Sequence, residues 1–234
     1  LTANLDRPGE INDLYLARGS EVSSHRPVLP GDVFSDVEIG GLGVLDLVIV
    51  VSHPCTMRSG AKLKPRLQAA QVRRDNQAIS LDDWTEGHFR VMPLPELDSI
   101  SDHCSAVLSE IGLIQSAELK LDQRKACMSE SGIYLLQQRQ VFCQTRARIG
   151  LDTLADASQH VLEEADLLEE WSEKLSSDES EDALAVAAEE FELFLKEPTA
   201  ASLRSKLELP HERPGVRRAV RAEIAARAAV KAGT

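Results

Sequence analysis

Ser52, His53 and Cys55 sit together in the stretch Ser-His-Pro-Cys, and their side chains are the first in this chain that could support a reaction. A hydroxyl or thiol beside an imidazole is a nucleophile with its base. On a regular strand, neighbouring residues point to opposite faces, so Ser52 and His53 meet only if the chain turns there. The competing reading is a strand end closed by polar residues and a proline, and strand geometry favours it. A metal reading would join His53 and Cys55 to His103 and Cys104. Those last two are adjacent and cannot both face one ion on a regular strand, and structural zinc sites space their ligands more widely. Ordinary packing is therefore expected, with no metal and no cofactor.

Three further groups carry chemistry of recognition. Arg58, Lys62, Lys64 and Arg66, followed by Arg73 and Arg74, form a basic segment. Such a segment could hold phosphates without choosing a sequence. Only Phe34, Trp84 and Phe89 lie near it, whereas single-strand binding leans on aromatic platforms. A solvated loop, or a counterpart for acidic helices of the same chain, is the expected role. Arg139 and Arg146 are seven apart on one predicted helix face. They could pin that helix to its support through carbonyls or carboxylates, or line an interface; the structural role is preferred. Leu167, Trp171, Phe191 and Phe194 offer more apolar surface than one neighbouring helix covers. The helix at 184–194 could fold back over the first two, and a protein partner or a second copy is expected at the remaining face.

The elements that must position these residues read as two kinds. Leu47 to Val51 is an unbroken, mostly β-branched run that fits a strand buried on both faces. Val33–Ile39 alternates as a strand with one apolar face. Further strands are expected over Leu67–Val72, His88–Leu94 (closed by Pro93 and Pro95) and Cys104–Ile111, with a turn over Ser80–Gly87. Ile11–Ala17 reads as a short helix. From about Lys120 the period lengthens. Met128, Leu135, Phe142 and Ile149 recur every seven residues, as do Leu154, Val161, Leu168 and Leu175. Small residues Ser158, Ala165 and Ser172 beside the second stripe allow close helix approach. Gly132 weakens the first of these helices. Asp178 with Glu181 reads as a capping pair for a helix around Leu184, Ala187, Phe191 and Phe194, stopped by Pro198. A short helix over Ala200–Leu209 and an Ala/Arg-rich one over Gly215–Ala232 follow.

Charge is unevenly placed. The chain of 234 residues carries −12 overall, but the segment 152–197 alone holds 16 acids against two lysines, leaving the remainder at +2. The four cysteines are scattered without a Cys-x-x-Cys pair, which suits a reducing compartment. No signal-like start and no apolar run near ~20 residues is present, so a soluble, cytoplasmic protein with no membrane span is expected. The Ala/Arg-rich end suggests a GC-rich bacterial source.

Gly31-Asp32-Val33-Phe34, then Val48 to Ser52, Ala69 to Val72, and Ser105 to Ile111 in this order resemble the PemK/MazF-type bacterial toxins over about residues 26–125. The resemblance implies an SH3-like barrel and, in active members, cleavage of single-stranded RNA. Ser52 is the one catalytic position that it carries over. Active members also have an Arg-Pro before the hydrophobic strand, and Gly40 to Leu47 contains no arginine; Arg26-Pro27 lies too early to serve.

The expected architecture is α+β. A small SH3-like antiparallel barrel spans 26–119, after an N-terminal extension over 1–25. A helical region over 120–234 has an acidic middle (152–197) and a basic terminal helix (211–234). The expected function is a non-catalytic binding or assembly subunit of a bacterial cytoplasmic system, of toxin–antitoxin or defence type, acting through protein partners. An endoribonuclease of the PemK/MazF type or a nucleic-acid-binding regulator is the alternative, with nucleic-acid binding weak because the acidic segment repels a polyanion.

Overall fold

The apolar run at 47–51 forms the centre of a sheet in the computed structural model, which describes residues 4–60, 62–81, 83–86, 89–97, 103–196 and 202–232. Seven strands pair antiparallel. They are β1 (Tyr15–Arg18), β2 (Val33–Ile39), β3 (Gly43–Val50), and then β6 (Arg66–Arg74), β7 (Val91–Pro95), β8 (His103–Gln115) and β9 (Arg124–Met128), in the spatial order β1-β9-β2-β3-β6-β8-β7. Two further strands, β4 (Arg58–Ser59) and β5 (Lys62–Leu63), form a separate hairpin. A one-turn helix α1 (Pro54–Met57) follows β3, and another, α2 (Asp83–Glu86), precedes β7. Leu47, Val48, Ile49 and Val50 are buried, as the β-branched run requires.

The chain divides into two compact units. One comprises Leu1–Ser23, Val28–Met57 and Lys64–Ala157; the other comprises Ser24–Pro27, Arg58–Leu63 and Ser158–Thr234. The first, the sheet unit, includes β1 and β9, two strands outside the span 26–119. Ile11–Ala17 is not a helix: a 3-10 turn (Ile11–Leu14) leads into β1, which pairs with β9 through Tyr15↔Met128 and Arg18↔Ala126. The seven-residue stripe from Met128 to Ile149 is likewise not one helix. Met128 ends β9, and helix α3 runs from Glu130 to Thr145, closed by Arg146 in the left-handed region at φ 63°. Ile149 therefore lies beyond the helix. Pro93 and Pro95 sit within β7 rather than closing a strand, which is tolerated because β7 is an edge of the sheet. His88 and Pro198 lie outside the described residues.

Close approaches explain two glycines. Gly31 adopts φ 87°, and a Cβ there would lie 2.7 Å from the Met128 side chain. Its N–H donates to Val50 O at 2.8 Å, seating the Gly-Asp entry of β2 against the central strand. Gly132 admits the Leu14 carbonyl, which would stand 2.2 Å from a Cβ. The first turn of α3 is stabilised instead by Ser129, whose Oγ accepts the Gly132 N–H at 3.0 Å.

Sheet closure is partial. The Gly40 N–H, in the β2–β3 turn, donates to Leu113 O on β8 at 2.9 Å. No strand ladder joins the ends of the sheet among the described residues, and the architecture is an antiparallel sheet with helices, α+β.

The second, helical unit takes residues 158–175 of α4 (Leu151–Leu175), with α5 (Glu181–Lys196), α6 (Leu203–Leu207) and α7 (Arg213–Ala232). Trp171 and Phe191 are fully buried with ring centroids 5.5 Å apart, packed with Leu167, Leu195, Leu207 and Val220. Each such side chain contributes roughly 1.5–3 kcal/mol by leaving water. Ser158, Ala165 and Ser172 are buried, as expected of small residues at a close helix contact. The cap of α5 is Ser180 rather than Asp178. Ser180 Oγ accepts the Ala183 N–H at 3.3 Å, while Asp178 accepts the Ser180 N–H at 2.8 Å. These bonds to Ser180 hold the Asp178 carboxyl below the usual carboxylate range.

Candidate functional site

Ser52 is a strand-end residue. Its hydroxyl accepts the Gln68 N–H at 2.7 Å and is 6 % exposed, tying the exit of β3 to β6. The His53 Nδ1 accepts the Cys55 N–H at 3.3 Å, so that nitrogen faces along the chain toward α1. The Cys55 thiol reaches Ala157 O at 3.3 Å, and burial pushes it above its ordinary value, away from the reactive thiolate. The three polar side chains thus serve backbone groups in three directions. Among the described residues, no group of three or more His, Cys, Asp or Glu side chains could hold a metal ion.

The basic segment is divided between the units. Arg58 and Lys62 lie on the β4–β5 hairpin of the helical unit, and Lys64 and Arg66 belong to the sheet unit. Lys62 pairs with Glu189 at 2.7 Å, which holds its ammonium above the usual lysine value. Arg73 pairs with Glu110 at 2.5 Å. The basic end of the chain docks on acidic helices in the same way: Arg217 meets Glu163 at 2.6 Å, Arg221 meets Glu170 at 3.1 Å, and Arg227 meets Glu190 at 3.2 Å.

Arg139 pins its helix. It donates to Trp84 O at 2.7 Å and Val91 O at 3.3 Å and lies 5.4 Å over the Trp84 ring. Burial pulls its guanidinium down to about 10, which leaves it charged at neutral pH. Arg146 is exposed beside Phe89 and Val91, 5.8 Å over the Phe142 ring. Leu167, Trp171 and Phe191 are consumed by the core of their own unit: α5, through Phe191, folds back over Leu167 and Trp171, and the three are buried. Phe194, half-buried, stacks on Trp171 at 5.4 Å.

A different place gathers unspent charge. A pocket of about 830 Å³ in the sheet unit is lined by Arg18, Glu21, Ser35, Asp36, Asp46, Leu47, Arg74, Glu96, Leu97 and Lys125, among others. Asp36 and Asp46 fall between the paired positions Ser35↔Leu47 and Val37↔Leu45, which brings two acids to the same stretch of the β2–β3 ladder. Like charges so placed repel. Arg74 forms an ion pair with Asp46 and relieves that side only. Asp36 and Glu96 both hold φ near 55–58°, a conformation that side-chain-bearing residues seldom adopt. Arg18 is fixed by Glu96 O at 2.8 Å and Asn12 Oδ1 at 3.2 Å, and lies 4.8 Å over the Tyr15 ring. Asp36, Glu21 and Lys125 have no ion-pair partner among the described residues, and Ser35, 8 % exposed, lines the same pocket.

No spacing in the sequence announces this pocket, because its residues come from separate segments that only strand pairing brings together. The one local sign is Asp36 between Ser35 and Val37, an acid within an otherwise apolar strand. Among the described residues, no helix is long and apolar enough to cross a membrane. Compared with known proteins, the chain matches no family model and no curated sequence.

Proposed function

We propose that the chain is a non-catalytic binding or assembly subunit of a bacterial cytoplasmic system, of toxin–antitoxin or defence type, acting through a protein partner. Ser52 carries the reading. As the one catalytic position implied by the toxin resemblance, it would need a hydroxyl open to substrate, and Ser52 is 6 % exposed with its hydroxyl accepting the Gln68 N–H at 2.7 Å. The stretch Gly40 to Leu47 contributes no arginine, and its Asp46 brings the opposite charge. The sheet fits an SH3-like barrel left incompletely closed. In support, β2, β3, β6 and β8 are consecutive neighbours, and the Gly40–Leu113 hydrogen bond draws the outer two together.

The partner surface belongs on the outer face of α5. Val186 and Leu193, seven apart, are 58 % and 68 % exposed there, while Phe191 points into the core. Purified protein incubated with mixed single-stranded RNA should leave it intact. Cleavage that is lost in Ser52→Ala would overturn the proposal in favour of an endoribonuclease. Recovery of a stoichiometric companion from the native host, abolished by Leu193→Glu, is the supporting result.

A further inference from the structure

We propose that the 830 Å³ pocket of the sheet unit binds a small zwitterion of amino-acid or dipeptide size, a property separate from the partner-binding reading. The pocket holds three bases and four acids. Two of each are spent on one another, Arg74 with Asp46 and Arg18 with Glu96. That leaves Lys125 on one side of the account and Asp36 with Glu21 on the other, with no ion-pair partner among the described residues. Asp36 and Glu21 are exposed and Lys125 is half-buried.

A ligand bearing only negative charge would satisfy Lys125 and be repelled by Asp36 and Glu21. One bearing only positive charge would meet the reverse. A ligand with both signs gains from each, so the unpaired set selects for it by repulsion of the rest. Ser35, 8 % exposed, lines the pocket and supplies a hydroxyl that a peptide or carboxylate can use. Leu47 and Leu97, both buried, give the pocket an apolar lining for the body of the ligand. A volume of about 830 Å³ accepts a molecule of that size. The anionic end is assigned to Lys125, and the ammonium end to Asp36 and Glu21.

The test uses the full chain and three peptides: glycyl-leucine, N-acetyl-glycyl-leucine and glycyl-leucinamide. Binding is read from the backbone amide resonances of Ser35, Asp36, Leu47 and Lys125. The free dipeptide should saturate, and each blocked form should bind about tenfold or more weakly, because each lacks one charge-assisted contact. Lys125→Met should lower glycyl-leucine to the level of glycyl-leucinamide and leave glycyl-leucinamide itself unchanged. Asp36→Asn, which keeps a side chain tolerant of the left-handed backbone, should weaken glycyl-leucine and glycyl-leucinamide and leave the N-acetyl form unchanged. Equal titration by all three peptides overturns the proposal. So does failure of the free dipeptide to saturate, or wild-type affinity in both folded variants.

Discussion

The sheet unit and the helical unit differ in how completely they bury an ion pair. In the sheet unit one ion pair lies fully inside, while Arg73–Glu110, Arg74–Asp46 and Arg148–Asp6 stay at the surface. Arg124 and Asp32 are 0 % and 1 % exposed at the side chain and pair at 3.1 Å; Asp32 also accepts the Leu29 N–H, and Arg124 donates to Ser23 O. Arg139 is spent on two carbonyls. In the helical unit, the centre is Trp171, Phe191 and aliphatic side chains, and most ion pairs ring it at the surface. Arg26 and Arg213 are buried there too, Arg26 paired with Asp166 and Glu169 and Arg213 with Glu163, but those carboxylates keep 13 % to 63 % of their side-chain exposure. The difference is one of tolerance. A buried pair fixes geometry because either member alone is strongly disfavoured, whereas a rim pair can be lost with water taking its place.

The sharpest way to break that comparison is to remove one arginine from each unit. Arg124→Met leaves Asp32 buried without its counter-charge and should destabilise by about 3–5 kcal/mol. Arg204→Met removes the contact with Glu164 at 2.6 Å, where both side chains are about a quarter exposed, and should cost about 1 kcal/mol or less after solvent screening. Urea denaturation followed by circular dichroism measures both. Losses of equal size would mean that the two units do not differ in this respect.

An alkaline titration sharpens the comparison on a smaller scale. Burial drives the Tyr15 phenol far above its usual value, against the opposing pull of Arg18, and its hydroxyl donates to Pro95 O at 3.0 Å. Below the unfolded pKa of about 10 both states keep the proton, and the stabilisation is complete. Above it the unfolded chain releases the proton first, so stability falls as pH rises, by up to about 1.4 kcal/mol per pH unit. Tyr15→Phe should flatten this slope between pH 10 and 11. Both tyrosines, Tyr15 and Tyr134, belong to the sheet unit. A slope unchanged in Tyr15→Phe would assign alkaline sensitivity to other groups.

What could be read in the sequence follows the same division. Helices declared themselves by period: Leu168 and Leu175 on α4, and Ala187 and Phe191 on α5, are buried as their spacing predicts. The central strands were legible from β-branched runs at 33–39 and 47–51. Strand β1 was not, because Tyr-Leu-Ala-Arg has no strand signature of its own; it is a strand because Met128 and Ala126 lie across from it. Strand β9 was hidden because Met128 happens to fall in phase with Leu135 and Phe142. Sequence proximity offered Ser52, His53 and Cys55 as a nucleophile with its base, with a polar strand end preferred, and each hydrogen-bonds a different backbone group. The pocket behaved in the reverse manner. Arg18, Asp36, Arg74 and Lys125 are far apart in sequence, and charge left over after pairing becomes visible only once the pairs are known.

The smallest effect expected is at Lys62, and it bears on whether the basic segment is a surface for nucleic acid or a counterpart of the acidic helices. Lys62 and Glu189 are 72 % and 56 % exposed at the side chain and lie 2.7 Å apart. A pair this exposed is held by an attraction that salt screens and that ordering of two long side chains offsets. Lys62→Ala should leave the melting temperature within experimental scatter at 0.15 M salt. Retention of a single-stranded oligonucleotide on the protein at low salt should likewise be weak in the wild type, since Lys62 already has a carboxylate. Glu189→Gln frees the ammonium, so any phosphate binding by this segment should rise in that variant and fall steeply with added salt. Strong retention by the wild type, lost in Lys62→Ala, would reassign the hairpin from an internal counter-charge to a nucleic-acid contact.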